Sequence, residues 1–292
     1  MSASLHIKRG SPREIAHERE VMRYVRHYAA RHGLRLCPQS FGPHDAQQLR
    51  LEALEGPTLH SEFHDTAPSG GEESARSLGE LLADIHQVPA GGLPAARDPF
   101  PVLTLRPLDL RIAIGETPQL LGYLSRDERA HKACTNLRNQ ITPATLIHGD
   151  AKLDNFMYAS DKTLLAIDWE CAGQGDPSWD LGSVVGDYYS RHLLSIDVQR
   201  DKPLKTWLQD ARISSNYSLA LAREMLAVYA QMAQPIDVRR VAAFAGIFLM
   251  HRAQAWVERY GEFSSKALLL AHFGVRFLVK PGVLASLLDE SY

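Results

Sequence analysis

Cysteine is scarce in this 292-residue chain: Cys37, Cys134 and Cys171 are odd in number, lie far apart and form no Cys-x-x-Cys pair. That argues against a disulfide framework and against a cysteine-based zinc centre, and a reducing cytoplasm is the simplest fit. No sign of charge dominates either, with 32 Lys and Arg against 34 Asp and Glu. Nothing in the global field therefore recommends nucleic acid or an anionic membrane as a partner, and a charged ligand has to be recognised locally. Long apolar runs are missing. The most apolar late stretch, "ALLLAHFGVRFLV" from Ala267 to Val279, is interrupted by His272 and Arg276. It is too short to span a bilayer and reads as a buried amphipathic helix. The start, "MSASLHIKRGSPRE", has no apolar core of the kind a signal peptide carries. Internal repeats and low-complexity tracts are absent, and only "VPAGGLPAARDPFP", Val88 to Pro101, is rich in Pro and Gly. That segment is expected to be a loop across the surface.

Hydrophobic residues make up 45% of the chain. This suffices for a substantial core in one large domain or two smaller ones. A short strand, "LHIK", precedes a helix whose start is marked by Ser11, Pro12 and Glu14, a capping box with proline in the first turn; the helix is expected to run to about Arg31. Ile15, Met22, Val25 and Ala29 recur at near-helical spacing, and Glu18 falls on the same stripe. A carboxylate directed inward calls for a cation, and Lys8, at the end of the preceding strand, is the nearest in sequence. The alternative is that both side chains snorkel to solvent at the edge of a small lobe.

In "QQLRLEALEGPTL", Leu49, Leu51 and Ala53 alternate with polar residues, as in a half-buried strand ending near Gly56. Beyond it the pattern is mostly helical. "SLGELLADIH" places Leu78, Leu81, Leu82 and Ile85 on one face, and further amphipathic segments follow Trp179. Strand signals return in "ATLIHGD" and "KTLLAIDWE", joined through a turn at Ser160 and Asp161, and the two runs are expected to flank a small β-hairpin region. Polar groups cluster at their ends. Asp150 and Asn155 share one loop and Asp168 ends the second run, so a hairpin could bring three oxygen ligands to one mouth. Such a set suits magnesium, which takes few protein ligands and fills its octahedron with water and phosphate oxygens, and it does not suit zinc.

The ordered set "HGDAKLDN", "IDWE" and "GDPSWDLG" resembles the catalytic and metal-binding segments of the aminoglycoside phosphotransferase and choline-kinase-like family, within the protein-kinase-like superfamily. Lys8, Glu18, "LEALEG" and "LGELLADIH" extend the match from the N-terminus to about residue 182. The resemblance implies an α+β, two-lobed fold with a small N-lobe over residues 1–56, a hinge at about 52–56, and a large helical C-lobe over 57–292 that carries the catalytic and metal-binding loops at 146–182. It implies an enzyme dependent on ATP and Mg2+ that moves the γ-phosphoryl group to a hydroxyl of a small molecule or of a peptide serine or threonine. By that resemblance Asp150 orients the acceptor hydroxyl and takes its proton, with Lys152 touching the transferred group. Asn155 and Asp168 hold magnesium. Lys8 pairs with the phosphates and with Glu18, and the backbone of Glu52 to Leu54 receives adenine. His148 and Asp180 brace the loop, while Asp154 and Glu170 stay open between substrate contact and solvent.

Family members begin with two strands and a glycine-containing loop over the phosphates, whereas only seven residues precede Lys8 here. A catalytically impaired nucleotide- or partner-binding module is therefore the competing expectation. For the substrate, Glu170, Asp176 and Asp187 are candidates to complement an amine-bearing acceptor such as an aminoglycoside or amino alcohol, or they are solvated surface charges. The same motifs leave no role for nucleic acid or a membrane.

Overall fold

The computed structural model describes residues 5–42, 45–62, 71–98, 127–197, 206, 209–233, 235–262 and 264–289. Strand β1, Leu5–Arg9, pairs antiparallel with β2, Gln48–Glu52, with Lys8 opposite Leu49. Between them runs α1, Pro12–His32, whose Ser11 cap accepts the Glu14 N–H while the Glu14 carboxylate accepts from Ser11 N at 3.0 Å. This reciprocal pairing satisfies two donors that the first turn leaves without partners. Ile15, Glu18, Met22, Val25 and Ala29 are all buried, so the stripe expected from periodicity is the packed face. The other edge of β2 is met by residues 39–41, through Phe41 N to Arg50 O at 2.9 Å and Glu52 N to Gln39 O at 2.8 Å.

The rest of the described chain is mainly helical: α2 (Gly71–His86), α3 (Glu128–Asn139), α4 (Pro177–Ser195), α5 (Ser215–Met232), α6 (Val238–Tyr260), α7 (Ser265–Val279) and α8 (Gly282–Leu288). Helix α4 is the central one. It packs on α5 and α6, and α6 in turn packs on α7. Because α4 is enclosed by its neighbours, Trp179, Val184, Val185 and Tyr188 are buried alongside Asp180, Asp187 and Ser190, and a one-sided apolar stripe is absent. Among the described residues no single helix is long and apolar enough to cross a membrane.

Two small sheets position the loops between them. Strands β4 (Phe156–Tyr158) and β5 (Leu164–Ala166) form a hairpin, while β3 (Thr145–Ile147) pairs with β6 (Gly173–Gly175). The two apolar runs read as flanking one hairpin thus belong to separate sheets. The reason is that "GQG" supplies a second edge for β3, a partner invisible to β-propensity because two of its three residues are glycine. Gly173 is also required by a close approach: a Cβ there would lie 2.5 Å from the Pro94 carbonyl oxygen. Ala96 N donates to Gln174 O at 2.9 Å and Gln174 N to Pro94 O at 2.8 Å, so residues 94–97 are pinned along β6. This part of the Pro/Gly-rich segment is therefore built into the fold. Residues 99–101 of it lie outside the described residues.

Candidate active site

The loop from His148 to Asn155 leaves β3 and is held from below by α4. The Asp180 carboxylate, fully buried, accepts the N–H of His148 at 2.6 Å and of Gly149 at 2.9 Å, and lies 3.1 Å from His86 Nε2. Gly149 sits at φ 78°, where a Cβ would collide with the Cys171 carbonyl. The His148 ring bridges two segments: Nε2 donates to the Ile167 carbonyl at 2.8 Å, which leaves Nδ1 to face the Asp150 N–H at 3.4 Å. Two turns further along α4, buried Asp187 accepts the Leu153 N–H at 2.8 Å. Two carboxylates of one helix therefore hold both halves of the loop.

Held in this way, Asp150 receives Lys152 Nζ at 2.6 Å and Asn155 Nδ2 at 2.9 Å, both on Oδ2. Among the described residues no donor bonds its Oδ1, so that oxygen is available to an incoming hydroxyl. The Asn155 amide nitrogen also donates to the Asp150 carbonyl at 2.8 Å, and its remaining polar atom, Oδ1, is the one that can ligate a cation. Ile167 N donates to the Asn155 carbonyl at 2.9 Å, which ties the Asp150 loop beside Asp168. Burial opposes the Lys152 ammonium, but Asp150, with Asp168 and Asp154 behind it, leaves its pKa raised.

Asp168 adopts a left-handed conformation, φ 64° and ψ 64°, which is costly for a residue with a Cβ. It is fixed on both sides, by the His148 ring on Ile167 and by Trp169 N donating to Glu18 Oε1 at 3.1 Å. Its carboxylate meets Lys8 Nζ, which also lies 2.7 Å from Glu18 and 3.0 Å from Glu170. Burial works against the Lys8 charge, yet the bonds to Asp168 and Glu18 outweigh it and raise the Lys8 pKa, while burial pushes the Glu18 carboxyl up. Glu18, Asp168 and Glu170 place carboxylate oxygens within 4.8 Å of one another around this single ammonium. That is an excess of negative charge suited to a further hard cation.

Residues 4–207 match the family model described as the phosphotransferase enzyme family, APH. The chain belongs to this family. No curated protein matches it. Its fold is similar to that of choline kinase LicA from Streptococcus pneumoniae, at 15% identity and TM-score 0.56 over 96% of this chain and 87% of that one. LicA in complex with AMP aligns at 14% identity and TM-score 0.55, over 96% and 85%. An aminoglycoside phosphotransferase from Alicyclobacillus acidocaldarius aligns at 18% identity and TM-score 0.53, over 98% and 86%. These likenesses establish a kinase-like, α+β architecture with a small strand-and-helix lobe and a large helical lobe.

For this member of the phosphotransferase family, the structure gathers Lys8, Glu18 and Asp168 at one point and Asp150, Lys152 and Asn155 at the next. Glu52 is engaged elsewhere: its carboxylate pairs with Arg35 at 2.5 Å, and its N–H is spent on Gln39. At the proposed hinge this leaves Ala53 and Leu54, beyond β2, to offer donors. The acidic residues considered as amine partners are occupied internally. Glu170 lies on Lys8, Asp176 caps α4 and pairs with Arg240 at 2.8 Å, and Asp187 pairs with Arg252 at 3.1 Å. Sequence reasoning missed Arg97, which the pinned segment brings to Cys171 Sγ at 3.8 Å and into the field of Glu170 and Asp150. It also missed His60, whose ring stands 3.3 Å from Asp154.

Proposed function

We propose that this chain transfers the γ-phosphoryl group of ATP to a hydroxyl of a small molecule, with magnesium. The observation that carries this reading is the juxtaposition of two differently equipped carboxylates. Asp150 has one oxygen held by two donors and the other open, whereas Asp168 is locked in a strained backbone against a lysine. The first arrangement suits a group that orients a hydroxyl and accepts its proton; the second suits a group that organises phosphate charge. The AMP complex of the similarly folded LicA supports an adenine nucleotide as donor.

Asp168 and the Asn155 Oδ1 would hold the magnesium, whose oxygen-donor preference matches both. When bound, the ion neutralises phosphate charge. Lys8 would pair with phosphate oxygens, and its ion pair with Glu18 supports that role by keeping it charged and directed. His148 and Asp180 hold the loop and touch no reacting atom. Lys152 keeps a positive charge beside Asp150, where negative charge arrives with the transferred group. The test is ADP formation across a panel of alcohols, with nucleotide binding followed separately, for the chain and for Asp150→Asn. Turnover lost with nucleotide binding retained supports transfer. Binding without turnover in any form of the chain overturns it.

A further inference from the structure

Beside the catalytic loop lies a cavity of about 470 Å3, walled by Asp154 of that loop, by His60, and by α4, α6 and the segment before α5. This volume is in the range of small-molecule sites. The lining is strongly basic: Arg191, Arg212, Arg252 and Arg259 face it, against the single carboxylate of Asp154. Buried Asp187, behind the wall, offsets part of this charge through Arg252 at 3.1 Å. Among the described residues no carboxylate lies within 4.0 Å of Arg212 or Arg259. A second donor is also unspent, since Arg252 Nε is buried and has no acceptor among the described residues. Guanidinium groups stay charged at any physiological pH, so the surplus is permanent.

His60 neither adds to nor cancels it. Arg191 approaches His60 Nδ1 at 2.6 Å, and because a guanidinium can only donate, Nδ1 must carry the lone pair. The ring is then neutral, with its proton on Nε2, in agreement with a pKa lowered by burial and by Arg191. The 3.3 Å approach of Asp154 to the same Nδ1 is therefore not a hydrogen bond. Trp256 and Tyr260 add an aromatic wall, and Arg259 lies over the Tyr260 ring at 5.7 Å. The pocket thus combines charge-assisted donors with flat apolar surface, as a ring-bearing anion requires.

We propose that this cavity receives the phosphate acceptor, and that the acceptor is an alcohol carrying a carboxylate or a phosphate ester. This rests on the phosphotransferase reading above and narrows it. An ammonium-bearing acceptor would meet a surplus of guanidinium groups, and Glu170, Asp176 and Asp187, the acidic groups considered as its partners, are paired inside the protein.

The test uses one scaffold with four charges: glucose 6-phosphate, glucuronate, glucose and glucosamine, titrated calorimetrically into the full chain. Both anions are expected to bind more tightly than glucose, and glucosamine more weakly, with about tenfold or more between the extremes. The two anionic arms separate a phosphate ester from a carboxylate as the preferred group. The preference is expected to shrink in 0.5 M salt, about the ionic strength at which such contacts are screened. It should shrink as well in Arg212→Gln/Arg259→Gln, whose unchanged circular dichroism would verify folding. Glucosamine binding as tightly as glucose 6-phosphate would overturn the proposal, as would absence of saturable binding by both anions or a preference insensitive to both salt and the double substitution. ADP formation is followed in the same preparations. Anion binding without turnover supports the anion site while counting against transfer, whereas turnover of glucosamine without anion binding does the reverse.

Discussion

Replacing Asp180 by alanine removes the acceptor of two buried backbone N–H groups, His148 at 2.6 Å and Gly149 at 2.9 Å, and the partner of His86 at 3.1 Å. The position is wholly inaccessible, so water cannot replace the carboxylate without opening the α2–α4 contact. Each orphaned donor costs about 1–3 kcal/mol. Part of that is returned because a buried carboxylate no longer has to be desolvated, and a net loss of about 3–5 kcal/mol results. Asp180→Asn does not rescue it: an amide offers one acceptor oxygen and turns a donor toward the second N–H. The assay is urea unfolding, with the slope compared between variants so that a change in the unfolded state is recognised. Asp161→Ala, on an exposed ion pair with Arg35, serves as a control and is expected to move the unfolding midpoint far less. A loss below about 1 kcal/mol for Asp180→Ala would refute the claim that this carboxylate supports the loop.

Lys8→Met leaves Glu18, Asp168 and Glu170 facing one another without a cation, so the variant is expected to lose stability and to regain more of it from magnesium chloride than the parent does, read as a rise in Tm. An equal magnesium response in both proteins would count against a cation-demanding cluster. Buried His192, with Nδ1 on the Ile213 carbonyl at 2.9 Å, has its pKa lowered by burial. Its folded value lies below the unfolded one, so its contribution is complete above about pH 6.5 and is lost as pH falls from there toward the folded value. His60 shifts in the same direction and adds to the same window. Urea titrations between pH 7.5 and 5 are expected to show stability falling by up to about 1.4 kcal/mol per pH unit for each such group. His192→Gln should reduce that slope, and an unchanged slope would contradict the assignment.

What could be read from the sequence depended on how locally the information was written. The Ser11 to Glu14 capping box and the inward Glu18 are contained within one helix, and α1 carries both. Asp176, considered from the sequence only as an amine partner or a solvated charge, caps α4 ahead of Pro177. The pairing of β3 with "GQG" was not readable, because it joins segments more than twenty residues apart and one partner lacks any strand preference. The basic cavity escaped for a related reason: Arg191 and Arg212 come from separate segments, with Arg252 and Arg259 on α6. A signal was nevertheless present, since Arg252, Trp256 and Arg259 recur at spacings of four and three on α6, placing two guanidinium groups and an indole on one face. The acidic residues misled because a carboxylate near a motif can be ligand contact, helix cap or buried counter-charge. Only packing distinguishes them, and Asp176 and Asp187 serve the fold.

The most direct measurement compares ATP turnover and nucleotide affinity in the chain and in Asp150→Asn, with magnesium and the best acceptor found. An asparagine still accepts from Lys152 and Asn155 but cannot take a proton. The expected result is a fall in kcat of about 10²–10⁴-fold with the nucleotide Kd unchanged. Turnover equal to that of the parent would contradict the role of Asp150, and with it the phosphotransferase reading of this site.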